Sequence, residues 1–316
     1  MGSLKAKVDK ALASVAAIRW SLGEQNIVAP AKLSDFARIV ELVLCNQAVG
    51  WTTKFETDED TLVNAYAFYR QELWKVIAPN VWKVGYKAFA ECALLEYVDL
   101  SGADDLDESC LDGCTALREL TISEGIWGLW LNFNGHECLE SVSGCGGIEF
   151  FGGSGGEHGA PFANCTSLVR TDFSNRLYEM TSYAFYNCYN LEEVGDMSGI
   201  GCFMAYTFYN CMNLKSAFDL DECAWIEDHA FDGCLELPFN KGAIHASCLE
   251  GIGYLAFRGC RKLKKLYIYN CLEIDTNAFF GSYIEEIHFS TFQAYNIPGF
   301  STRWGAGSDV EVYVDL

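Results

Sequence analysis

Positive charge is scarce in this chain. Lysine and arginine together number 22, against 43 aspartates and glutamates, so the 316 residues carry a formal net charge of −21 at pH 7. A surface this acidic repels phosphate backbones and anionic lipid surfaces. We therefore expect no nucleic-acid partner, whereas the charge suits either a well-solvated surface or the attraction of a basic partner.

Long apolar runs are also missing. No window of 18 uninterrupted apolar residues occurs, so the sequence predicts no transmembrane helix and no membrane insertion. Near the N-terminus, Lys5, Lys7 and Lys10 precede a short apolar run. Asp9 and Arg19 bracket that run, which is too weak for the core of a secretion signal. We interpret this segment as mature protein.

Motifs typical of catalysis or metal binding are absent as well. The five histidines, at positions 136, 158, 229, 245 and 288, show neither i, i+4 pairing nor metal-ligand spacing. The chain has no C-x-x-C pair, and its acidic run from Asp99 to Asp112 lacks EF-hand spacing. The sequence predicts a non-enzymatic protein with no catalytic residue, no cofactor and no metal site.

An internal repeat dominates the remainder of the sequence. Its frame is F-x-x-C-x-x-L-x-x-Φ-x-Φ, where Φ is apolar, as in AFAECALLEYVDL from Ala88 and AFRGCRKLKKLYI from Ala256. The first frame position is held by Phe68, Phe89, Leu111, Phe133, Phe162, Phe185, Phe208, Phe231, Phe257 and Phe279. The successive steps of 21, 22, 22, 29, 23, 23, 23, 26 and 22 residues predict about ten turns, of which the turn from Phe133 is degraded.

The repeat period predicts the unit of the fold. A step near 23 residues is too short for a helix pair or a propeller blade, and it fits one short strand with a return arc. We expect the strand in L-x-x-Φ-x-Φ, as in Leu95 to Leu100, with apolar side chains inward and polar ones outward. Stacked turns pair such strands in parallel. The prediction is an α/β-type solenoid over residues 57–289.

Seven of the fifteen cysteines occupy one frame position. They are Cys92, Cys114, Cys165, Cys188, Cys211, Cys234 and Cys260. Stacked turns place these thiols in a column, where an odd total excludes complete pairing and single ligands do not close a zinc tetrahedron. We interpret the column as small buried side chains that direct a weak S–H donor at the backbone. So many free thiols favour assembly in a reducing compartment.

An apolar residue and a polar or glycine pair often precede the frame, as in VGYKAF, IEDHAF, IGYLAF and IDTNAF. With this feature the repeat resembles the BspA-like subclass of leucine-rich repeats, over roughly residues 60 to 290. The resemblance implies a leucine-rich repeat solenoid that recognises other macromolecules. Repeats of this subclass are similar to those in bacterial surface adhesins, protist surface proteins and phage virion proteins.

Residues 1–56 do not carry the repeat, and we expect them to form a helical segment. Apolar residues recur there at helical spacing: Leu4, Val8, Ala11, Val15, Ile18 and Leu22. This stripe is either the seam of a coiled coil that forms a homo-oligomer or the face of an amphipathic helix packed on its neighbour. The run A-K-L-S-D-F-A-R-I-V resembles segments that precede variable domains in phage tail and fibre proteins.

Two other segments depart from the repeat. The stretch 143–160 contains eight glycines. We interpret it either as a flexible insertion or as a projecting recognition loop with Phe150, Phe151 and His158 as contacts. Residues 290–316 end in the alternating segment VEVYVDL and are expected to form a C-terminal cap over the last apolar face.

The concave strand face is the expected location of binding, because its outward positions form a regular grid. The candidate contacts on this grid are Tyr97, Asp99, Glu119, Thr121, Glu193, Lys265, Tyr267 and Glu286.

The resemblances favour two functions. One is a virion-associated phage protein of a tail, fibre or capsid decoration, assembled in the host cytoplasm, that binds other virion components or a host surface receptor. The alternative is a bacterial or protist surface adhesin or ligand-binding protein located at the cell surface. Both are structural or recognition roles with other proteins as partners.

Overall fold

The computed structural model describes residues 53–57, 61–152, 159–216, 220–238, 242–269, 271–289, 297–307 and 309–314. The predicted N-terminal helical segment therefore lies almost entirely outside the described residues. The strands are β1 (Thr53–Glu56), β2 (Thr61–Val63), β3 (Leu73–Ile77), β4 (Val81–Val84), β5 (Tyr97–Asp99), β6 (Asp105–Leu106), β7 (Glu119–Thr121), β8 (Gly128–Leu129), β9 (Ser141–Ser143), β10 (Phe150–Phe151), β11 (Arg170–Phe173), β12 (Glu179–Met180), β13 (Glu193–Gly195), β14 (Cys202–Phe203), β15 (Trp225–Ile226), β16 (Ala243–Ala246), β17 (Gly251–Ile252), β18 (Lys265–Ile268), β19 (Glu273–Ile274), β20 (Glu286–Phe289) and β21 (Glu311–Val314). Two 3-10 helices span Cys145–Gly147 and Phe300–Gly305.

These strands form two columns along a solenoid of about 11 turns. The first strand column contains the seven-stranded sheet β1-β3-β5-β7-β9-β11-β13 and the four-stranded sheet β16-β18-β20-β21. The second strand column contains β2-β4-β6, β8-β10-β12 and β14-β15-β17-β19. Pairing is parallel, with the same register from turn to turn over much of each sheet, as in Tyr97 opposite Glu119 and Lys265 opposite Glu286. This confirms the predicted parallel solenoid.

The α/β description of the return arc is wrong. In the described turns up to β19, a short strand of the second column and a series of β-turns form the return arc, so the described chain contains little helix. Many of these strands have only two residues, as in Asp105–Leu106 and Glu273–Ile274. Alternation over two residues leaves no periodic pattern, which explains why the sequence did not reveal the second strand column.

The phenylalanines of the frame stack into a ladder through the core. From Phe133 to Phe279, the centroids of consecutive rings lie 5.2 to 5.7 Å apart, with interplanar angles of 30° or less. Phe68 and Phe89 form a second stacked pair at 5.2 Å, and buried Leu111 separates the two groups. Each ring is almost completely buried, so the ladder supplies a large apolar area per turn.

The cysteine column lies beside this ladder. Each of its seven thiols donates a hydrogen bond to the backbone carbonyl of the frame phenylalanine one turn earlier, with Sγ–O distances of 3.0 to 3.2 Å. Burial raises the pKa of the Cys92 thiol to about 11 and that of Cys114 to about 12. The thiols therefore stay protonated at neutral pH and give a second donor to carbonyl groups that already accept a backbone N–H of their own turn, as Phe185 does from Cys188.

The residue before each frame cysteine adopts a left-handed backbone conformation. Its φ angle lies between 57° and 81° in every turn from Arg70 to Gly281. Glycine occupies five of these positions and asparagine three, the residue types that reach this region at least cost. The three asparagines also form a ladder: Asn187 donates to Oδ1 of Asn164 at 3.1 Å and accepts from Asn210 at 3.0 Å.

Replacing the central asparagine separates backbone strain from side-chain bonding. We expect Asn187→Ala to lower the free energy of unfolding by about 2–3 kcal/mol, because alanine is strained at positive φ and forms neither amide bond. Asn187→Gly keeps the backbone relaxed and should cost only about 1 kcal/mol. Urea unfolding followed by circular dichroism measures both. Equal losses for the two variants would contradict the role assigned to the left-handed backbone.

The glycine-rich stretch is partly regular. Residues 143–152 of the predicted insertion contain the end of β9, a 3-10 helix and β10, and residues 153–158 lie outside the described residues. The carboxylate of Asp172 accepts hydrogen bonds from the backbone N–H groups of Gly144 and Cys145 at 2.9 and 2.8 Å. This part of the stretch is therefore held to the neighbouring turn as one arc of the solenoid.

The C-terminal segment adds a strand to the array. β21 pairs in parallel with β20 over four residues, from Glu311 opposite Glu286 to Val314 opposite Phe289. Trp304 is fully buried and its ring lies 5.6 Å from that of Phe289. The last described residues thus continue the first strand column, and a separate cap over residues 290–316 stays a prediction.

Candidate binding surface

The predicted concave-face residues all lie on strands of the first strand column, with their side chains exposed or half-buried. They fall into two groups. Tyr97, Asp99, Glu119, Thr121 and Glu193 lie on the seven-stranded sheet. Lys265, Tyr267 and Glu286 lie on the four-stranded sheet and are neighbours across β18 and β20. The structure therefore brings together two sets of candidates and does not form one site from all eight.

The four-stranded sheet carries a continuous row of aromatic side chains. His245, Tyr267, His288 and Tyr313 occupy the same register position on β16, β18, β20 and β21. Their ring centroids are 4.4, 4.4 and 4.6 Å apart, with interplanar angles of 3°, 19° and 14°. We call these four residues the His/Tyr row.

The geometry of the row determines what it can offer a ligand. Both faces of the Tyr267 and His288 rings are covered by neighbouring rings, so these two side chains present their polar edges. Backbone pairing between the strands fixes the positions of these four residues. Ordering their rings therefore costs little additional side-chain entropy. An ordered row of amphipathic rings is typical of a protein recognition surface.

A row of charged side chains runs beside the rings. Lys265 Nζ donates to Glu286 Oε1 at 2.8 Å, and Glu286 also contacts His288 Nε2 at 3.2 Å. These bonds from Lys265 and His288 hold the pKa of the Glu286 carboxyl below its usual range. Tyr313 donates to Glu311, and this hydrogen bond raises the pKa of the Tyr313 phenol. The charged row therefore fixes the orientation of two rings of the His/Tyr row.

Sequence reasoning missed three members of the row. His288 was not among the predicted contacts, although it holds in I-E-E-I-H-F, residues 284–289, the position that Tyr267 holds in L-K-K-L-Y-I. Tyr313 was assigned to the cap, and its only signal was the alternation of VEVYVDL. His245 lies eight residues after Leu237, the frame leucine of its turn, whereas Tyr267 lies only four residues after Leu263, so the frame could not align the two.

The seven-stranded sheet offers a more polar surface. The ammonium group of Lys75 lies 4.5 Å from the centre of the Tyr97 ring, and Thr121 shares a hydrogen bond with Ser143 at 3.1 Å. Burial raises the pKa of Tyr97, with the nearby carboxylate of Asp99 adding to the effect. The stacked ring pairs described above lie on the four-stranded sheet instead.

The three candidate contacts of the glycine-rich stretch have different outcomes. Phe150 is half-buried at the surface of β10. Phe151 is fully buried, with ring contacts to Phe162 and Phe173 at 5.1 Å, so its assignment as a ligand contact is wrong. The alternation of a strand explains the difference, because neighbouring residues point to opposite faces. His158 lies outside the described residues.

Most basic side chains with a described ion pair bind an acid of a neighbouring turn. Arg118 Nη1 lies 2.6 Å from Glu140, Lys264 Nζ lies 2.8 Å from Glu285, and Lys215 Nζ lies 2.9 Å from Glu192. Exposed pairs of this kind contribute little to stability, because solvent screens them and ordering the two side chains costs entropy. Their larger effect is on the surface potential, since they neutralise the few cations and leave an excess of carboxylates outside.

The described residues contain no group of three or more histidine, cysteine or acidic side chains placed to hold a metal ion. Within that same part of the chain, no helix has the length and apolar character needed to cross a bilayer. His229 Nδ1 lies 2.7 Å from the buried carboxylate of Asp232, which also accepts from Arg258 Nε at 2.7 Å. The His229 ring stacks on Tyr206 at 4.6 Å, so this cluster is part of the packing between turns.

Comparison with solved structures gives distant likenesses. A leucine-rich repeat protein from Eubacterium ventriosum is 14% identical over 73% of this chain and 82% of that one, with a TM-score of 0.44. The leucine-rich repeat protein of T. pallidum is 22% identical over 59% and 78%, with a TM-score of 0.34. The pneumococcal vaccine antigen PcpA is 13% identical over 83% and 78%, with a TM-score of 0.36. A search of curated proteins found no match.

The sequence model of one family matches most of the chain. The BspA type leucine rich repeat region is found over residues 53–151, 159–239 and 226–301. These ranges include the frame phenylalanines, the cysteine column and most strands of both columns. Repeat proteins of this kind are generally binding scaffolds without catalytic activity. On these grounds the chain belongs to the BspA-type leucine-rich repeat family.

Proposed function

We propose that this protein is a non-enzymatic recognition scaffold that binds a protein ligand on the four-stranded part of its first strand column. The observation that carries the proposal is the His/Tyr row, in which four aromatic rings stack across consecutive strands and remain accessible at their edges. Tyrosine is enriched at protein interfaces because it gives a large contact area with a polar tip.

The charge of the chain supports a basic ligand surface. The formal net charge is −21. The described ion pairs also neutralise basic side chains by joining them to acids of the neighbouring turns. Carboxylates of Glu286 and Glu311 flank the His/Tyr row. Such a surface attracts positively charged partners and accelerates their association, an effect that salt screens.

The proposed function is compatible with two locations, the cell surface and the virion. A cell-surface adhesin or ligand-binding protein is consistent with the macromolecular recognition expected of this repeat family. A virion-associated phage role depends on the resemblance of residues 31–40 to phage tail segments, and these residues lie outside the described part. Mass spectrometry of purified virions and surface labelling of the producing cells distinguish the two locations. Recovery only in particles supports the phage role, and labelling on intact cells supports the surface role.

Selection from a random peptide library provides a ligand for testing the surface. We expect peptides selected on the intact chain to be rich in lysine and arginine. Tyr267→Ser should weaken their binding about tenfold or more, since interface tyrosines often account for more than about 1.4 kcal/mol of binding energy. Tyr267→Phe keeps the ring stack and should lose less than about threefold. Affinities follow from biolayer interferometry at low and high salt.

A matched control lies on the other sheet. Glu193→Ser removes an exposed side chain from the first strand column, outside the His/Tyr row. It should leave the affinity of the selected peptides unchanged. Circular dichroism checks that all variants are folded. Equal weakening by Glu193→Ser and Tyr267→Ser, or no effect of Tyr267→Ser, would contradict the proposed surface.

A further inference from the structure

The second strand column contains a break that opens a cavity. β6 is the last strand of the sheet β2-β4-β6, and β8 is an edge strand of the sheet β8-β10-β12, so the two successive turns are in different sheets. A cavity of about 160 Å³ lies between them, lined by Asp104, Asp105 and the segment from Ile126 to Leu131. It lies between the turns that start at Phe89 and Leu111 and on a different face from the His/Tyr row.

Two indole rings form the wall of this cavity. Trp127 and Trp130 are 61% and 37% exposed, although tryptophan ordinarily loses most of its surface on folding. Their ring centroids lie 6.2 Å apart at an interplanar angle of 79°, so they form two sides of a corner. Phe150 supports Trp130 from the next turn, with 4.8 Å between ring centroids. Gly128 permits this arrangement, because a Cβ there would lie 3.1 Å from the indole nitrogen of Trp130.

A carboxylate lies at the same cavity and is held in place. Asp104 accepts a hydrogen bond from the Ser123 hydroxyl of the next turn. Its carboxylate lies against the backbone at Gly125, where a Cβ would approach Oδ1 to 2.2 Å. Asp105, the second acid at the cavity, is paired with Lys83. Asp104 therefore supplies the negative charge at this site, and no basic side chain of the described residues lies within ion-pair distance of it.

We propose that this cavity, defined by Asp104, Trp127 and Trp130, binds the arginine side chain of a basic protein partner. Indole rings attract cations over their faces, and a planar guanidinium stacks on them more readily than an ammonium does. The same group donates to a carboxylate in a fixed fork. The net charge of −21 makes the surroundings favourable for a cation.

A small probe tests the site on the whole chain. The chain is labelled with 5-fluorotryptophan and titrated with N-acetyl-arginine methylamide while ¹⁹F NMR spectra are recorded. Trp127→Phe and Trp130→Phe assign the two signals, and Trp82 provides an exposed reference indole elsewhere. We expect saturable shifts of the Trp127 and Trp130 signals at millimolar concentrations, with the Trp82 signal unchanged. Asp104→Asn should weaken binding about fivefold, because the amide keeps the Ser123 bond and removes the charge.

Two other probes make the assignment specific. The citrulline analogue has the shape of arginine without its charge and should bind at least tenfold more weakly. Tetramethylammonium should also bind more weakly than the arginine probe, since it cannot donate to Asp104. Equal binding of citrulline, tighter binding of tetramethylammonium, or absence of any shift at Trp127 and Trp130 would each overturn the proposal. None of these outcomes depends on the His/Tyr row, so the two proposals fail separately.

Discussion

Phe208→Ala is expected to lower the free energy of unfolding by about 3–5 kcal/mol. Phe208 is fully buried, and its ring stacks between those of Phe185 and Phe231 at 5.2 and 5.6 Å. Truncation removes the transfer free energy of the ring, leaves a cavity and breaks two aromatic contacts. Chemical unfolding followed by circular dichroism measures the loss. In an array whose turns are stabilised by their neighbours, the effect should extend beyond the substituted turn.

The chain itself supplies the control for this prediction. Leu111 holds the same frame position in one turn and is 2% exposed, so leucine is compatible with the ladder. Phe208→Leu should therefore cost no more than about 1.5 kcal/mol, as for an apolar exchange of similar volume. A loss for Phe208→Leu as large as that for Phe208→Ala would show that the aromatic stack, and not core volume, determines stability here. A small loss for both would contradict the central role of the ladder.

Raising the pH above 9 is expected to unfold the protein cooperatively. The pKa values of twelve described thiols are raised above the ordinary value of 9.0, with burial as the main cause. Such thiols stay protonated in the fold and ionise in the unfolded chain. Their contribution to stability is complete below pH 9 and disappears as the pH rises toward the folded values, about 11 for Cys92 and about 12 for Cys114.

The number of thiols makes this effect large. Each thiol that ionises only on unfolding removes about 1.4 kcal/mol of stability per pH unit above 9. Several thiols acting together exceed the total of about 5–15 kcal/mol that stabilises a typical domain. Far-UV circular dichroism between pH 7 and pH 11, with a reductant present, should show a steep transition near pH 10. Retention of the folded signal to pH 11 would contradict the assignment of these groups as free, buried thiols.

Single substitutions measure how much one thiol contributes to this pH dependence of stability. Cys211 is fully buried and donates to the carbonyl of Phe185 at 3.1 Å. Cys211→Ala should reduce the pH dependence by about 1.4 kcal/mol per pH unit, at some cost in stability at pH 7. Cys248 is exposed, and Cys248→Ala should leave the alkaline transition unchanged. Equal effects of the two substitutions would show that the transition has another cause.

The frame determined much of the fold because phenylalanine, cysteine and leucine recur at positions where their burial is repeated. The second strand column was not predicted, because strands of two residues show no alternation of apolar and polar side chains. The left-handed position before the cysteine had a signal in the Asn-Cys and Gly-Cys pairs, as at Asn187 and Gly233. That this position requires a left-handed backbone became clear only from the φ angles. Phe151 was misassigned because a glycine-rich composition suggested a loop where the chain forms β10.

The binding surface was harder to predict, because it is produced by register between strands that are distant in sequence. Tyr267 was found from the frame, whereas His245 and Tyr313 became its row neighbours only through pairing of β16 and β21 with the sheet. The cavity near Trp127 had no repeat signal, because it results from the break between two sheets. Periodicity predicts what the turns share, and the proposed sites lie where turns differ.

Hydrogen–deuterium exchange on the intact chain, with and without a selected basic peptide, tests the proposed recognition surface most directly. We expect slower exchange of backbone amides in β16, β18, β20 and β21, with little change in the seven-stranded sheet. The Tyr267→Ser variant should lose this protection at the same peptide concentration. Protection confined to the seven-stranded sheet or to the second strand column, with β18 and β20 unaffected, would contradict the proposal that the His/Tyr row binds the ligand.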